Sequence, residues 1–138
     1  MVNLYTFEVY TPYRLFFRDQ VAVVVLTLTD GEIGIYADHS PFTAPVCTGI
    51  LKIKDKTGQW KEAFTTEGIL EVTSHKTILL ADATEWPEEI DYERALLAKQ
   101  GAEQRIQSKN FRFEAESAQA TLKRAEFRLK VYGMRKPQ

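Results

Sequence analysis

Short runs of apolar residues, separated by polar turn residues, follow one another through residues 1–86. Phe7 and Val9 alternate with polar neighbours, and the aliphatic run Ala22–Leu28 meets Thr29-Asp30-Gly31, a combination typical of a hairpin turn. Similar runs recur at intervals of about 8–12 residues; they are Phe42–Cys47, Ile50–Ile53, Trp60–Thr65, Ile69–Val72 and Thr77–Leu80. We therefore predict a β-sandwich or barrel in residues 1–86, without helices.

From residue 87 the apolar positions take on helical spacing. Pro87 and the acidic residues after it suit a helix start, and Asp91 suits the N-cap. Two series of apolar residues follow, each spaced by three or four positions: Ala95, Ala98, Ala102 and Ile106, then Phe111, Ala115, Ala118, Leu122, Ala125, Leu129 and Tyr132. A break at Ser108-Lys109-Asn110 separates the series, and Gly133 and Pro137 end the second. This spacing predicts an antiparallel two-helix hairpin in residues 87–138 with an alanine-rich seam.

The second helix also has an apolar face opposite its seam, formed by Phe113, Ala120 and Phe127. This face either rests on the β-domain or lets the helix use different faces in different packings, and the sequence leaves both open. Because the small seam residues bury little apolar area, the hairpin should be marginally stable alone and should need a partner.

Composition and charge exclude several classes of protein. The 138 residues carry 18 Lys and Arg against 19 Asp and Glu, and the net charge of −1 gives no case for nucleic-acid binding. The longest apolar run, Val21–Leu26, is far shorter than the roughly 20 residues of a membrane span. Cys47 is the only cysteine, which excludes an internal disulfide and suggests a reducing compartment. The N-terminus shows no signal-peptide pattern, so we expect neither export nor insertion into a membrane.

The charge is divided unevenly along the chain. Residues 1–86 hold 7 Lys and Arg against 11 Asp and Glu, whereas residues 105–138 hold 9 against 3. The basic residues of the second helix alternate with seam positions and acids, which favours a protein-facing or solvated surface over a nucleic-acid site.

The chain contains residue types that occur in catalytic sites, but their spacing in the sequence matches no known catalytic motif. Asp38-His39-Ser40 has the residues of a hydrolase triad, yet neighbouring side chains point apart in an extended chain. His39 and His75 are the only histidines, and no paired metal-ligand spacing exists. No phosphate-loop or nucleophile-elbow pattern is present. We therefore expect no catalytic residue, no metal site and no required cofactor.

Five segments, in this order, carry a resemblance to a known family: Thr11-Pro12 with Phe16-Phe17, Gly31–Phe42, Cys47–Leu51, Glu71–Asp82 and Ile90–Ala95. The Gly31–Phe42 segment matches most specifically, with a Gly-Glu-apolar-Gly turn followed by His-Ser-Pro. Together they resemble the epsilon subunit of F-type ATP synthases over nearly the whole chain. Ala37, Glu67 and Gly101 depart from the family's usual pattern.

The resemblance implies a sandwich of about ten strands followed by the helical hairpin. It also implies a non-catalytic rotor subunit that couples the membrane ring to the gamma subunit, peripheral to the cytoplasmic face of the plasma membrane. Glu32 and His39 then lie in loops that contact the ring or gamma. For Glu32 the alternative is a solvated loop residue, and for His39 it is a hydrogen bond that stabilises a turn.

The resemblance further implies that the hairpin regulates the complex. Extended along gamma, it would place Lys123, Arg124 and Arg128 among the alpha and beta subunits and inhibit ATP hydrolysis. Folded down, it would bind regulatory ATP weakly, through Glu85, Asp91, Arg94, Ala95, Arg124 and Arg128. Two features argue against ATP binding. Asp91 would cap the helix in any case, and Gly101 stands where family members that bind ATP can offer another basic residue.

Two other classes stay open. A β-sandwich adaptor with an interaction hairpin would not co-purify with ATP synthase subunits, and a small hydrolase would show turnover as an isolated chain.

Overall fold

The computed structural model describes the backbone of residues 3–108 and 112–136, and the side chains of all of these except 112–114. The chain divides into two compact units, Met1–Glu85 and Trp86–Gln138. Nine strands in the described residues form the first unit: β1 (Tyr5–Tyr10), β2 (Leu15–Leu28), β3 (Gly31–Tyr36), β4 (Phe42–Val46), β5 (Gly49–Asp55), β6 (Trp60–Thr65), β7 (Gly68–Val72), β8 (Lys76–Ala81) and β9 (Thr84–Glu85).

β2 is long enough to belong to both layers of the sandwich. Its first half pairs with β1, from Tyr5↔Val21 to Tyr10↔Leu15, while its second half pairs with β3 on one side and β5 on the other. The register with β5 shifts between Val21 and Val23, and a bulge of this kind bends a strand. Counting β2 once for each layer gives ten strand segments, which accounts for the number implied by the resemblance.

The strand order defines the two layers. One layer is β4-β7-β8-β1 with the first half of β2, and the other is β3, the second half of β2, β5, β6 and β9. All pairs are antiparallel except β1 with β8. Paired strands bring fully buried side chains together in rows that form the core; these are Leu70, Leu79 and Val9 in one layer and Ile35, Val24 and Ile53 in the other.

Turn residues define two hairpins, the predicted one between β2 and β3 and a second between β5 and β6. Thr29 and Asp30 form a two-residue turn, and Gly31 follows with φ +123°, a value that L side chains rarely adopt. Between β5 and β6 the Asp55 carboxylate accepts hydrogen bonds from the backbone N–H groups of Thr57 and Gln59 at 2.9 and 3.0 Å.

The second unit contains two helices, as the spacing predicted, and the first begins directly after the predicted N-cap Asp91. Residues Pro87–Glu89 form a separate 3₁₀ turn, and α1 spans Tyr92–Gln107. The Asp91 side chain caps α1 by accepting a hydrogen bond from the Arg94 N–H at 3.1 Å. α2 spans Arg112–Tyr132.

Alanines form the contact between the helices. Ala95, Ala102, Ala118 and Ala125 are all buried, which confirms the small-residue seam at these positions. The ring centroids of Tyr92 and Tyr132 lie 5.0 Å apart. Phe111 and the side chain of Phe113 lie outside the described residues, whereas Phe127 on the opposite face is partly exposed. None of the described helices is both long enough and apolar enough to cross a membrane.

Candidate functional site

Two cavities lie at opposite ends of the parallel strand pair β1–β8. The first, which we call the histidine cavity, has a volume of about 550 Å³ and is lined by the start of β1 and by residues around His39 and His75. The second, which we call the apolar groove, has a volume of about 430 Å³ and is lined by Tyr10, Thr11, Pro12, Glu67, Gly68, Ile69, Leu80, Ala81 and Asp82. Each cavity is formed partly by β1 and partly by the β7–β8 hairpin. Both therefore depend on how β1 is held against β8.

The apolar groove exposes large hydrophobic side chains to solvent. Ile69 is 51% exposed and Leu80 is 47% exposed, and they are cross-strand partners on the outer face of β7 and β8. The carboxyl-bearing residues Glu67 and Asp82 also line the groove. Sequence reasoning missed this surface, because an apolar run gives no sign of which of its residues face outwards.

His39 is held by its own turn. Its Nδ1–H donates a hydrogen bond to the Ser40 carbonyl oxygen at 2.9 Å, and its ring centroid lies 5.0 Å from that of Phe42. Asp38 precedes it with φ +65°, in the left-handed region that aspartate tolerates better than most residues. The bond goes to the Ser40 carbonyl and not to its hydroxyl, so these three residues do not have the geometry of a triad. Within the described ranges, no group of three or more His, Cys, Asp or Glu side chains is placed to hold a metal ion.

Between the two cavities, Glu8 forms a closed network on the outer face of the sheet. It is only 5% exposed. Its Oε2 lies 3.1 Å from Arg18 Nε, and its Oε1 lies 3.3 Å from Lys76 Nζ and accepts a hydrogen bond from the Tyr10 hydroxyl at 3.1 Å. Arg18 Nη2 donates to the same hydroxyl at 3.0 Å, which closes the ring. Burial alone would raise the pKa of Glu8, but these hydrogen bonds and the two cations outweigh it and hold the pKa below its usual range.

The expectation that Glu32 lies in a loop is wrong. Glu32 is the second residue of β3, opposite Thr27, and its Oε2 lies 3.7 Å from Lys52 Nζ. The two-residue turn ends earlier than the sequence suggested, because Gly31 already pairs with Leu28. Glu32 and His39 therefore lie at opposite ends of β3 and do not form one cluster.

The residues implied for ATP binding divide between the two units. Glu85 ends β9, whereas Asp91, Arg94 and Ala95 lie at the start of α1. Asp91 acts as the helix cap that sequence reasoning offered as the alternative, and Ala95 is buried at 4% exposure.

On α2, Arg124 and Arg128 are one turn apart and partly buried. Lys123 is exposed and lines a small cavity with Glu126, Phe127 and Lys130. Gly101 is exposed in the middle of α1.

Family models match the chain in two consecutive segments. Residues 4–87 match the ATP synthase delta/epsilon chain β-sandwich domain, and residues 88–133 match the delta/epsilon chain long α-helix domain. The chain is 51% identical over 124 residues to the ATP synthase epsilon chain of Caldicellulosiruptor bescii, covering 90% of each chain. It is 46% identical over 132 residues to that of Caldanaerobacter subterraneus subsp. tengcongensis, covering 95% of each.

Solved structures share the fold at low sequence identity. A chain of the Euglena gracilis mitochondrial ATP synthase OSCP/F1/c-ring structure aligns with a TM-score of 0.69 and 19% identity, covering 94% of this chain and 78% of that one. A chain of the Tetrahymena thermophila mitochondrial ATP synthase central stalk/c-ring structure aligns with a TM-score of 0.63 and 12% identity, covering 92% of this chain and 95% of that one.

Proposed function

This chain belongs to the ATP synthase delta/epsilon chain family, and we propose that it is a non-catalytic part of the rotating central stalk. In this role the β-sandwich connects the membrane rotor ring to the gamma subunit and transmits rotation between them. Two of the structural neighbours are chains of assemblies described as containing the c-ring, and one of these is described as a central stalk.

The apolar groove is the observation that carries the proposal. Half-exposed Ile69 and Leu80 beside Tyr10 form the kind of surface that a partner protein usually covers. We assign this groove to gamma. Glu32 and His39 provide two further contact points with the ring or gamma, at opposite ends of β3.

The sandwich is suited to transmitting torque. Its strands are joined by continuous ladders, and β2 runs through both layers without a break. A force applied to one strand is therefore shared with its neighbours through backbone hydrogen bonds, without depending on side-chain packing alone.

The hairpin supplies regulation in this proposal. Its alanine seam buries little area, so a modest gain in contacts elsewhere can favour an extended state. In that state Lys123, Arg124 and Arg128 contact the alpha and beta subunits and inhibit ATP hydrolysis, because a basic helix is attracted to acidic partner surfaces. Weak binding of ATP to the folded hairpin would oppose this. The complex would hold the chain at the cytoplasmic face of the plasma membrane.

The binding of gamma to the full chain tests the central part of the proposal. We expect a stable complex by size-exclusion chromatography and calorimetry, weakened by Leu80→Ser and by Ile69→Ser. Trp60→Ser is the matched control, because Trp60 is 47% exposed on the outer face of the other layer. An absence of binding by the wild-type chain, or equal loss with all three variants, would contradict the assignment of the groove.

A further inference from the structure

The layer formed by β4, β7, β8, β1 and the first half of β2 is held together across one parallel strand pair, β1 with β8, which we call the β1–β8 seam. The β1–β2 hairpin lies on one side and the strands β7, β8 and β4 lie on the other, and the backbone ladder between them runs from Thr6↔Lys76 to Tyr10↔Leu80. Both cavities straddle this seam. The histidine cavity takes Thr6 from one side and Lys76 from the other, and the apolar groove takes Tyr10 and Leu80 in the same way.

Glu8 crosses this seam with its side chain. It lies on β1 and its carboxylate contacts Lys76 on β8, while Arg18 on β2 contacts the other carboxylate oxygen. The Glu8 side chain is only 7% exposed, whereas the side chains of Glu32 and Asp19 in their ion pairs with Lys52 and Lys56 are about half exposed. A buried carboxylate that loses a partner is costly, while exposed pairs contribute little, so this network resists sliding of β1 along β8 more than the others could.

We propose that Glu8 is a positioning residue for the partner contacts, because its network fixes the β1–β8 seam from which both cavities are formed. The inference rests on the proposed function for its partner, but its structural content concerns this chain alone. Glu8 contacts neither Ile69 nor Leu80 in any described interaction. The effect of Glu8 on the groove therefore passes through Tyr10, whose hydroxyl donates a hydrogen bond to the Glu8 carboxylate, and through the register of β8.

Lys76 provides a sharp test of this route. It lines the histidine cavity but not the apolar groove, and Leu80 follows it on β8 at a distance of roughly 13 Å along the strand. If the Glu8 network fixes the β1–β8 seam, Lys76→Met weakens gamma binding at the apolar groove, although Lys76 does not line this groove. The double variant Glu8→Gln, Lys76→Met is then no weaker than the more affected single variant, because both changes break the same pair.

The experiment measures gamma affinity and amide hydrogen exchange in the full-length chain, with near-ultraviolet circular dichroism as the check that each variant is folded. We expect Glu8→Gln and Lys76→Met each to weaken gamma binding on the order of tenfold. We also expect faster exchange confined to the amides of β1 and β8. Glu71→Gln is the matched control, since Glu71 lies exposed on the outer face of β7 and makes no ion pair with the described residues.

The outcomes separate the two proposals. If the wild-type chain fails to bind gamma, the proposed function fails, and the exchange data alone decide the role of Glu8. If the wild-type chain binds but exchange in β1 and β8 is unchanged in both variants, the positioning role is wrong. Additive losses in the double variant would also overturn it, and if Glu8→Gln does not fold, Lys76→Met carries the test.

Discussion

Thr48 and Glu67 hold each other by a reciprocal pair of hydrogen bonds. The Thr48 hydroxyl donates to Glu67 Oε2 at 2.8 Å and accepts from the Glu67 backbone N–H at 3.1 Å. Thr48 is buried, and the pair joins the β4–β5 connection to the β6–β7 connection. This contact gives Glu67 a structural role.

Replacing Thr48 with valine should lower the free energy of unfolding by about 1–2 kcal/mol, because it keeps the shape but leaves the Glu67 N–H without its acceptor. Glu67→Gln keeps an acceptor oxygen and should cost less than Thr48→Val. Urea denaturation of both single variants and of the double variant measures the coupling. If the unfolding free energy lost in the double variant equals the sum of the losses in the two single variants, Thr48 and Glu67 do not act as a unit.

Two glycines should respond oppositely to alanine. A Cβ on Gly68 would overlap the backbone carbonyl oxygen of Leu80, so Gly68→Ala should destabilise the β-unit by roughly 3 kcal/mol or prevent its folding. A Cβ on Gly101 meets nothing within 4 Å, and Gly101→Ala should stabilise α1 by about 0.5–1 kcal/mol. Thermal unfolding followed by circular dichroism distinguishes them. A Gly68→Ala variant as stable as wild type would contradict the close approach of β7 and β8.

The sequence predicted local elements well where alternation and turn residues agreed, as at Ala22–Leu28 and Asp91. It missed the first half of β2, because Arg18 and Asp19 follow one another there and hide the period of two. The parallel seam could not be foreseen either. From the sequence alone, Glu8 would be interpreted as a solvated strand residue, because nothing near it in the chain indicates that Lys76 lies beside it. Long-range pairing leaves no local signal.

The stability of the β-unit should depend on pH through Glu8. Because its folded pKa lies below the ordinary value of 4.5, the ionised network stabilises the fold above that pH and is lost as the pH falls through the lowered pKa. The difference in unfolding free energy between wild type and Glu8→Gln should therefore be largest at neutral pH and shrink on acidification. Urea titrations at several pH values measure it, with Glu71→Gln as control. A difference that grows towards low pH would reverse the assigned sign.

ATP binding to the isolated chain should be weak or undetectable. Arg124 and Arg128 lie one turn apart on α2, a spacing that suits binding of a phosphate group. However, Asp91 already caps α1, and Gly101 provides no basic side chain. Calorimetric titration with ATP, repeated with Arg124→Ala and Arg128→Ala together, tests this. Tight binding would show that a basic residue at position 101 is not needed, and binding that survives both substitutions would place the ATP site elsewhere.

ATP hydrolysis by a head reconstituted from alpha, beta and gamma subunits tests both the stalk role of the β-sandwich and the regulatory role of the hairpin. The full chain should bind through its β-unit and lower the rate, whereas a version ending at Trp86 should bind gamma without inhibiting. Reversing the charges at Lys123, Arg124 and Arg128 should relieve the inhibition while leaving assembly intact, because only the hairpin contacts depend on them. Equal rates with the full chain, the truncated chain and no added chain would contradict regulation by the hairpin. A truncated chain that fails to assemble with the head would contradict the central claim that the β-sandwich is the stalk-binding unit.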